Sequence, residues 1–190
     1  MRKVPSHKLA RAVTLFYDAA LDQSKWPQAL GALSDAVGAQ GACCLVANKQ
    51  LDTIQWVSFS GLCAGLAPEY IKHYSALDPY TPLIAESPAG SRLWLSELLP
   101  HEALKRNEWY NDFVEKNAIK DIFGGKLLET KSRVIMFGFH AGGEKAVLSG
   151  RHKQEIEVLL EALGKAASLH TKLQNAGWMP SAAVQALDHL

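Results

Sequence analysis

Apolar positions recur along the chain at two spacings, which divide it into helical and extended segments. Residues 6–21 and 24–37 carry apolar side chains three and four positions apart, and the same spacing returns over residues 152–174. Short runs rich in β-branched, aromatic or cysteine residues predict four strands, at 41–47, 53–60, 125–129 and 133–140. The pattern therefore predicts two hairpins, with helices before the first and after the second.

The segment between the two hairpins differs from the rest because proline interrupts it. Residues 68–77 predict a helix, residues 78–88 contain three prolines, and residues 97–105 and 107–116 predict two short helices. This order of elements predicts an α+β fold. We expect a central antiparallel sheet of about five strands flanked by helices, an α/β/α sandwich similar to the PAS and GAF sensor folds.

Composition excludes several classes of protein. The 190 residues are 48% hydrophobic and 21% charged, as is usual for a globular domain, and the formal net charge is +1. A net charge this small provides no positive electrostatic field to attract a polyanion, so a protein that binds nucleic acid on its own is disfavoured. No apolar run is long enough to cross a membrane, and three cysteines, two of them adjacent, favour free thiols in a reducing compartment. We expect a cytoplasmic protein.

Signatures of catalysis and cofactor binding are missing from the sequence. It contains no GxGxxG, P-loop, HExxH, CxxC or GxSxG motif, and its glycine pairs are explained by turns at strand ends. The seven histidines are scattered. The sequence therefore predicts no catalytic residue, no cofactor and no metal site.

The strongest candidate site lies in the helical insertion, where aromatic side chains precede an aspartate. On a helix, Tyr70 and Tyr74 share one face, and Asp78 before Pro79 is forced out of the helical region. Aromatic rings with one carboxylate are typical of a small-molecule pocket. The alternative is that the aromatic side chains are packed in a hydrophobic core and that Asp78 caps the next turn. We predict an enclosed pocket lined by the following residues: Tyr70, Tyr74, Asp78, Trp94, Trp109 and Phe113 from the insertion, and Trp56, Cys44 and Phe137 from the strands.

One of these assignments is constrained by strand geometry. Successive strand residues point to opposite faces, so only one of Cys43 and Cys44 can face the pocket. The sequence leaves open which of the two does so.

The segment Tyr74-x-x-x-Asp78-Pro79, with Trp94 some fifteen residues later, resembles the autoinducer-binding domain of LuxR-type transcription factors. The order of elements agrees over roughly residues 9–173. In that family the aspartate accepts a hydrogen bond from the ligand's amide, and nearby Tyr and Trp side chains bind its head-group carbonyls. The resemblance implies these roles for Asp78, Tyr74 and Trp94.

Three departures from the family pattern bear on the ligand and on the extent of the chain. Gly65 and Glu69 stand where acyl-homoserine-lactone binders usually have Trp and Tyr, which argues against a lactone. Tyr80 is larger than the usual residue after the Asp-Pro pair, which implies a smaller or flatter ligand. Residues 176–190 are too few for a helix-turn-helix, so we expect a sensor domain over residues 1–175 followed by a linker toward a DNA-binding domain missing from this chain.

The resemblance implies a small-molecule-sensing and dimerising domain that takes part in signal transduction and transcription regulation. Two alternatives remain open: a small enzyme, or a structural dimerisation domain with a filled core. The enzyme would use His73 and Asp78 as an acid–base pair, but five helical positions place them about 140° apart.

A homodimer is expected through the terminal helices. The predicted helix 152–174 carries a first apolar stripe and also a second one at a wide angle to it: Val158, Ala162, Ala166 and Leu169. The second stripe favours pairing with the same helix, or with residues 9–21, of a second copy.

Overall fold

The computed structural model describes residues 7–51, 53–142 and 153–178. The helices are α1 (His7–Leu21), α2 (Trp26–Val37), α3 (Leu62–Lys72), α4 (Tyr80–Glu86), α5 (Leu95–Leu98), α6 (His101–Leu104) and α7 (Lys153–Asn175). The strands are β1 (Gly41–Asn48), β2 (Thr53–Gly61), β3 (Leu93–Trp94), β4 (Asp121–Glu129) and β5 (Arg133–Ala141). Short 3-10 turns occur at Gln23–Lys25 and Tyr74–Ala76, and Trp109–Glu115 is π-helical.

The five strands form one antiparallel sheet in the order β2-β1-β5-β4-β3. Its two hairpins, β1–β2 and β4–β5, are those predicted from the sequence, and they join through β1 and β5. Helices α1, α2 and α7 cover one face, whereas α3, α4 and the π-helical segment pack toward the other. The predicted α+β sandwich is therefore confirmed.

The main core lies between the sheet and the terminal helices. Cys44, Val46 and Phe139 are fully buried on this face of the sheet. The ring of Trp56 packs 4.6 Å from that of Trp26 in α2 and 5.4 Å from that of His170 in α7. These contacts fix both helices against the first hairpin, because large aromatic rings bury much apolar area at one point.

The helical insertion between the two hairpins forms the second core. Its first helix begins earlier in the chain than the sequence predicted. Helix α3 begins at Leu62 directly after β2 and contains Pro68, the residue that the sequence suggested as its first turn. Gly61 has a φ of +56°, a conformation that glycine adopts without strain, and it lets the chain turn from strand into helix there. The helix ends at Lys72, so Tyr74 lies outside it, in a 3-10 turn.

Two further differences concern the second half of the sheet. Strand β3 has only two residues, too few for an alternating pattern to reveal. Strand β4 begins at Asp121 rather than at 125, because glycines that suggested a strand end lie inside the strand. A Cβ atom at Gly125 would collide with the backbone carbonyl of Ser91, so glycine is needed there for close backbone packing.

Candidate functional site

A cavity of about 440 Å³ lies between the second face of the sheet and the helical insertion. Its volume is within the range of small-molecule sites. The residues around it are mostly apolar or aromatic: Cys43, Leu45, Ile54, Val57, Phe59, Cys63, Leu66, Ala67, Tyr70, Ile71, Ser75, Asp78, Tyr80, Thr81, Ile84, Trp109, Phe113, Ile122, Met136, Phe137, Gly138 and His140.

The register of the sheet determines which strand residues reach this cavity. Leu45 pairs with Val57 on one side and with Met136 on the other, so the three side chains lie in one row across the sheet. Cys43 pairs with Gly138, where a Cβ atom would lie 3.1 Å from the Cys43 sulfur. Glycine at that position therefore leaves room for the thiol in the cavity wall.

Three polar side chains form a hydrogen-bonded cluster in this otherwise apolar wall. Asp78 Oδ2 accepts hydrogen bonds from the hydroxyls of Tyr70, at 2.7 Å, and Thr81, at 2.8 Å. Asp78 Oδ1 accepts from the backbone N–H groups of Tyr80, at 2.7 Å, and Thr81, at 3.2 Å, at the start of α4. The carboxylate is 7% exposed and uses its full capacity of about four acceptor positions.

The phenol of Tyr70 stays protonated in this environment. Burial raises its pKa, and the nearby carboxylate of Asp78 raises it further. The hydroxyl therefore acts as a donor, either to Asp78 or to an acceptor that enters the cavity.

A second donor in the cavity wall is the indole of Trp109. The side chain is 1% exposed, and its Nε1 has no hydrogen-bond partner within the described residues. A buried N–H without a partner is costly, so an acceptor that reached Nε1 from the cavity would offset that cost.

Comparison with solved structures identifies the fold. The ligand-binding domain of VqsR from Pseudomonas aeruginosa superposes with a TM-score of 0.62 at 12% identity, over 86% of this chain and 99% of that one. CepR2 from Burkholderia cenocepacia, an N-acylhomoserine-lactone-dependent LuxR-family transcription factor, gives 0.57 at 13%, over 87% and 96%. The chain has the fold of these ligand-binding domains. Escherichia coli SdiA gives 0.61 at 10% identity, over 90% of this chain and 69% of that one.

The comparisons rest on structure rather than on sequence. No family model matches the chain, and no curated protein matches it significantly in sequence. The resemblance to LuxR-type autoinducer-binding domains, suggested by the Asp78-Pro79 segment, is thus confirmed as a likeness of fold.

Within that fold, five of the predicted residues line the cavity: Tyr70, Asp78, Trp109, Phe113 and Phe137. Tyr74 and Trp94, to which the resemblance assigned contacts with the ligand, do not line it. Tyr74 is buried in the insertion against Phe113, at 5.0 Å between ring centroids. Trp94 packs on Phe123, at 4.9 Å, beside the main core. In this structure Tyr70 and Trp109, rather than Tyr74 and Trp94, lie in the cavity wall.

Two of the three predicted strand residues, Cys44 and Trp56, do not line the cavity, because their side chains point to the other face of the sheet. Cys43 faces the cavity, whereas Cys44 and Trp56 are buried among the terminal helices. Phe137 touches the cavity, but its ring packs 5.3 Å from that of Phe139 in the main core. The face of the sheet that α2 covers determines which of the two cysteines points to the cavity. The sequence alone does not reveal which face that is.

The acid–base pair proposed for an enzyme is not formed. His73 lies outside α3, and its Nε2 is 2.6 Å from Glu108 Oε1 on the surface. Asp78 instead contacts Tyr70 and Thr81. Among the described residues, no group of three His, Cys, Asp or Glu side chains is arranged to hold a metal ion.

Another depression lies elsewhere on the surface. It has a volume of about 900 Å³ beside α1 and α2 and is lined by Lys8, Arg11, Asp35 and several small residues, without the aromatic wall of the first cavity.

In the part of the chain that is described, no helix is apolar and long enough to cross a bilayer. Residues 179–190, most of the expected linker, lie outside the described residues.

Proposed function

We propose that this chain is the small-molecule-sensing domain of a LuxR-type transcriptional regulator. The observation that carries the proposal is the apolar cavity with the Tyr70–Asp78–Thr81 cluster in its wall. SdiA, which shares the fold at 11% identity and a TM-score of 0.56, has been solved in complex with octanoyl-rac-glycerol. We infer that the cavity of this chain takes a ligand with a comparable apolar part.

The polar cluster suggests what the other part of the ligand is. Asp78 already has its acceptor positions filled, so a ligand donor must replace one of the two hydroxyls. If it replaces Tyr70, the released phenol needs an acceptor, and Trp109 Nε1 needs one as well. An amide supplies a donor and an acceptor in one group, so we propose an acyl or aryl amide as the ligand.

The proposed role is binding rather than catalysis. The cavity holds a carboxylate saturated with hydrogen bonds, and its neutral phenols are donors rather than bases. In this proposal the protein works in the cytoplasm, and DNA is contacted by a separate helix-turn-helix domain.

Dimerisation through α1 and α7 is part of the proposal. Val158 and Leu169 on α7 are 51% and 37% exposed, and Tyr17 and Leu21 on α1 are 41% and 66% exposed. The surface is narrower than the sequence suggested, since Ala162 and Ala166 are buried. Exposed apolar side chains on two adjacent helices favour an isologous contact.

Leu169→Glu tests this contact by sedimentation equilibrium. The expected result is a dimer for the parent chain and a folded monomer of 20.8 kDa for the variant, because a carboxylate would be buried without a partner. Asn175→Glu, at an exposed position six residues from Leu169 on α7, is the control for one added negative charge. A parent chain that is monomeric at micromolar concentration would contradict the dimer.

A thermal-shift screen tests ligand binding directly. It compares N-octanoyl-homoserine lactone, an N-aryl octanamide and octanoyl-rac-glycerol. A compound that binds the folded state at a hundredfold excess over its dissociation constant adds about 2.7 kcal/mol of stability. We expect the N-aryl octanamide to give the largest rise in melting temperature. We expect this rise to be lost in the variant Tyr70→Phe. The absence of any shift across acyl and aryl amides would contradict the proposal.

A further inference from the structure

Two thiols and an imidazole meet in the cavity wall, at a place that the proposed ligand contacts do not involve. The Cys63 sulfur lies 3.4 Å from His140 Nδ1, and Cys43 pairs with Gly138, two residues before His140 on β5. All three residues line the cavity. Cys43 is half-buried and Cys63 is 4% exposed, so access to both is through the cavity rather than from the bulk surface.

The fold brings the two cysteines together at the junction of β1, β2 and α3. On β1, Gly41 pairs with His140 and Cys43 pairs with Gly138, so Cys43 lies two residues along the strand from the position beside His140. A Cβ atom at Gly41 would lie 2.6 Å from the backbone nitrogen of Cys63, so the start of α3 rests directly on β1. Glycine at 41 therefore lets Cys63 approach β1 next to His140.

The hydrogen bonds make the two thiols unequal. Interaction with Cys63 lowers the pKa of the Cys43 thiol, whereas interaction with Cys43 and burial raise the pKa of the Cys63 thiol. Burial lowers the pKa of His140 to about 4, so the imidazole is neutral and its Nδ1–H can donate to the Cys63 sulfur. Cys43 is also the more exposed of the two thiols, so it is the one that a molecule in the cavity reaches first.

Cys44 provides an internal contrast. It is fully buried on the other face of the sheet, and burial raises the pKa of its thiol. The alternation of the strand therefore gives adjacent cysteines opposite environments.

We propose that Cys43 and Cys63 form a dithiol centre, which organic hydroperoxides that enter the apolar cavity oxidise to a disulfide. The Cys43 thiolate attacks the terminal oxygen of the hydroperoxide, the O–O bond breaks, and the alkoxide leaves and takes a proton to become an alcohol. Cys43 is then a sulfenic acid. The Cys63 sulfur attacks it, the S–S bond forms, and hydroxide leaves with the Cys63 proton as water. The hydroperoxide is the two-electron oxidant.

An apolar hydroperoxide is the expected oxidant because the surroundings of the thiols select for it. Leu45, Val57, Phe59 and Met136 lie in the same wall, so an aryl or alkyl group is bound beside the sulfur. Hydrogen peroxide gains no such contact. This inference does not depend on the amide ligand proposed above.

The test treats the full chain with one equivalent of cumene hydroperoxide and follows its intact mass. The expected result is a loss of about 2 Da, the two thiol hydrogens, with a Cys43–Cys63 link in non-reducing peptide mapping. Equimolar hydrogen peroxide should react at least tenfold more slowly. Cys44→Ser should behave as the parent chain. In Cys63→Ser, the sulfenic acid should remain on Cys43 and be trapped by dimedone.

Several results would overturn the inference. They are an unchanged mass, a link that includes Cys44, equal rates with both peroxides, or unchanged peroxide consumption in Cys43→Ser. Peptide mapping of the parent chain decides the pairing even if a cysteine variant fails to fold.

Discussion

Replacing Asp78 by asparagine separates the two sets of hydrogen bonds that this residue accepts. The amide oxygen of asparagine can still accept from the backbone N–H groups of Tyr80 and Thr81 at the start of α4. Its NH2 group cannot accept from the hydroxyls of Tyr70 and Thr81, which are 2.7 and 2.8 Å from Oδ2. The variant therefore loses the hydrogen bonds from the two hydroxyls in the cavity wall and keeps those from the backbone at the start of α4.

The expected loss follows from those two hydrogen bonds. A hydrogen bond to a charged group contributes about 1.5 to 3 kcal/mol, and the two hydroxyls, 3.3 Å apart, can partly satisfy each other. We therefore expect Asp78→Asn to lower the free energy of unfolding by about 2 to 4 kcal/mol. Asp78→Ala also loses the cap and should cost about 1 kcal/mol more.

Urea unfolding with a double-mutant cycle measures this effect. Tyr70→Phe is the partner variant, and we expect a coupling energy of about 1 to 2 kcal/mol between the two positions. Asp112→Asn, at an exposed position in the insertion, is the control and should change stability by less than about 0.5 kcal/mol. Additive effects, or an Asp78→Asn variant as stable as the control, would refute the account of the cluster.

Two further predictions concern stability. Gly41→Ala should destabilise the chain by roughly 2 kcal/mol or more in urea unfolding, because the added Cβ meets backbone atoms of Cys63 and Ser60 within 2.7 Å; an unchanged midpoint would contradict that packing. Burial lowers the pKa of His140 from 6.5 to about 4. As the pH is lowered, this histidine therefore binds a proton in the unfolded chain before it does so in the folded chain. The free energy of unfolding should fall by up to about 3 kcal/mol as the pH is lowered from 6.5 to 4. His140→Gln should reduce this fall, and an identical pH profile would refute the assignment.

The sheet and its hairpins could be predicted because their apolar patterns are local. Strands β1, β2 and β5 were found within one residue of their ends, since β-branched and aromatic runs bounded by polar turns are a strong signal. The start of α3 was missed because it depends on Gly61 and on the space at Gly41, which are properties of the packed structure.

Within the candidate site, the position of Asp78 could be predicted and that of its partners only in part. The residue before a proline is kept out of the helical region by local sterics, so the sequence placed Asp78 after the end of a helix. Helix α4, which begins at Tyr80, was not predicted. Thr81 was missed because the contact of its hydroxyl with Asp78 Oδ2 depends on the turn at the start of α4. Trp94 was misplaced because β3, which turns its ring toward Phe123, is formed only by pairing with β4.

The central claim is that the cavity between the sheet and α3 binds the small molecule. Ala67 on α3 is 8% exposed and lines this cavity, whereas Ala64 on the same helix is exposed to solvent. Isothermal titration calorimetry with the amide from the thermal-shift screen compares Ala67→Phe with Ala64→Phe. A phenyl ring at position 67 occupies the cavity, so we predict at least a tenfold loss of affinity, about 1.4 kcal/mol, in that variant alone. Equal affinity in both folded variants would contradict the claim.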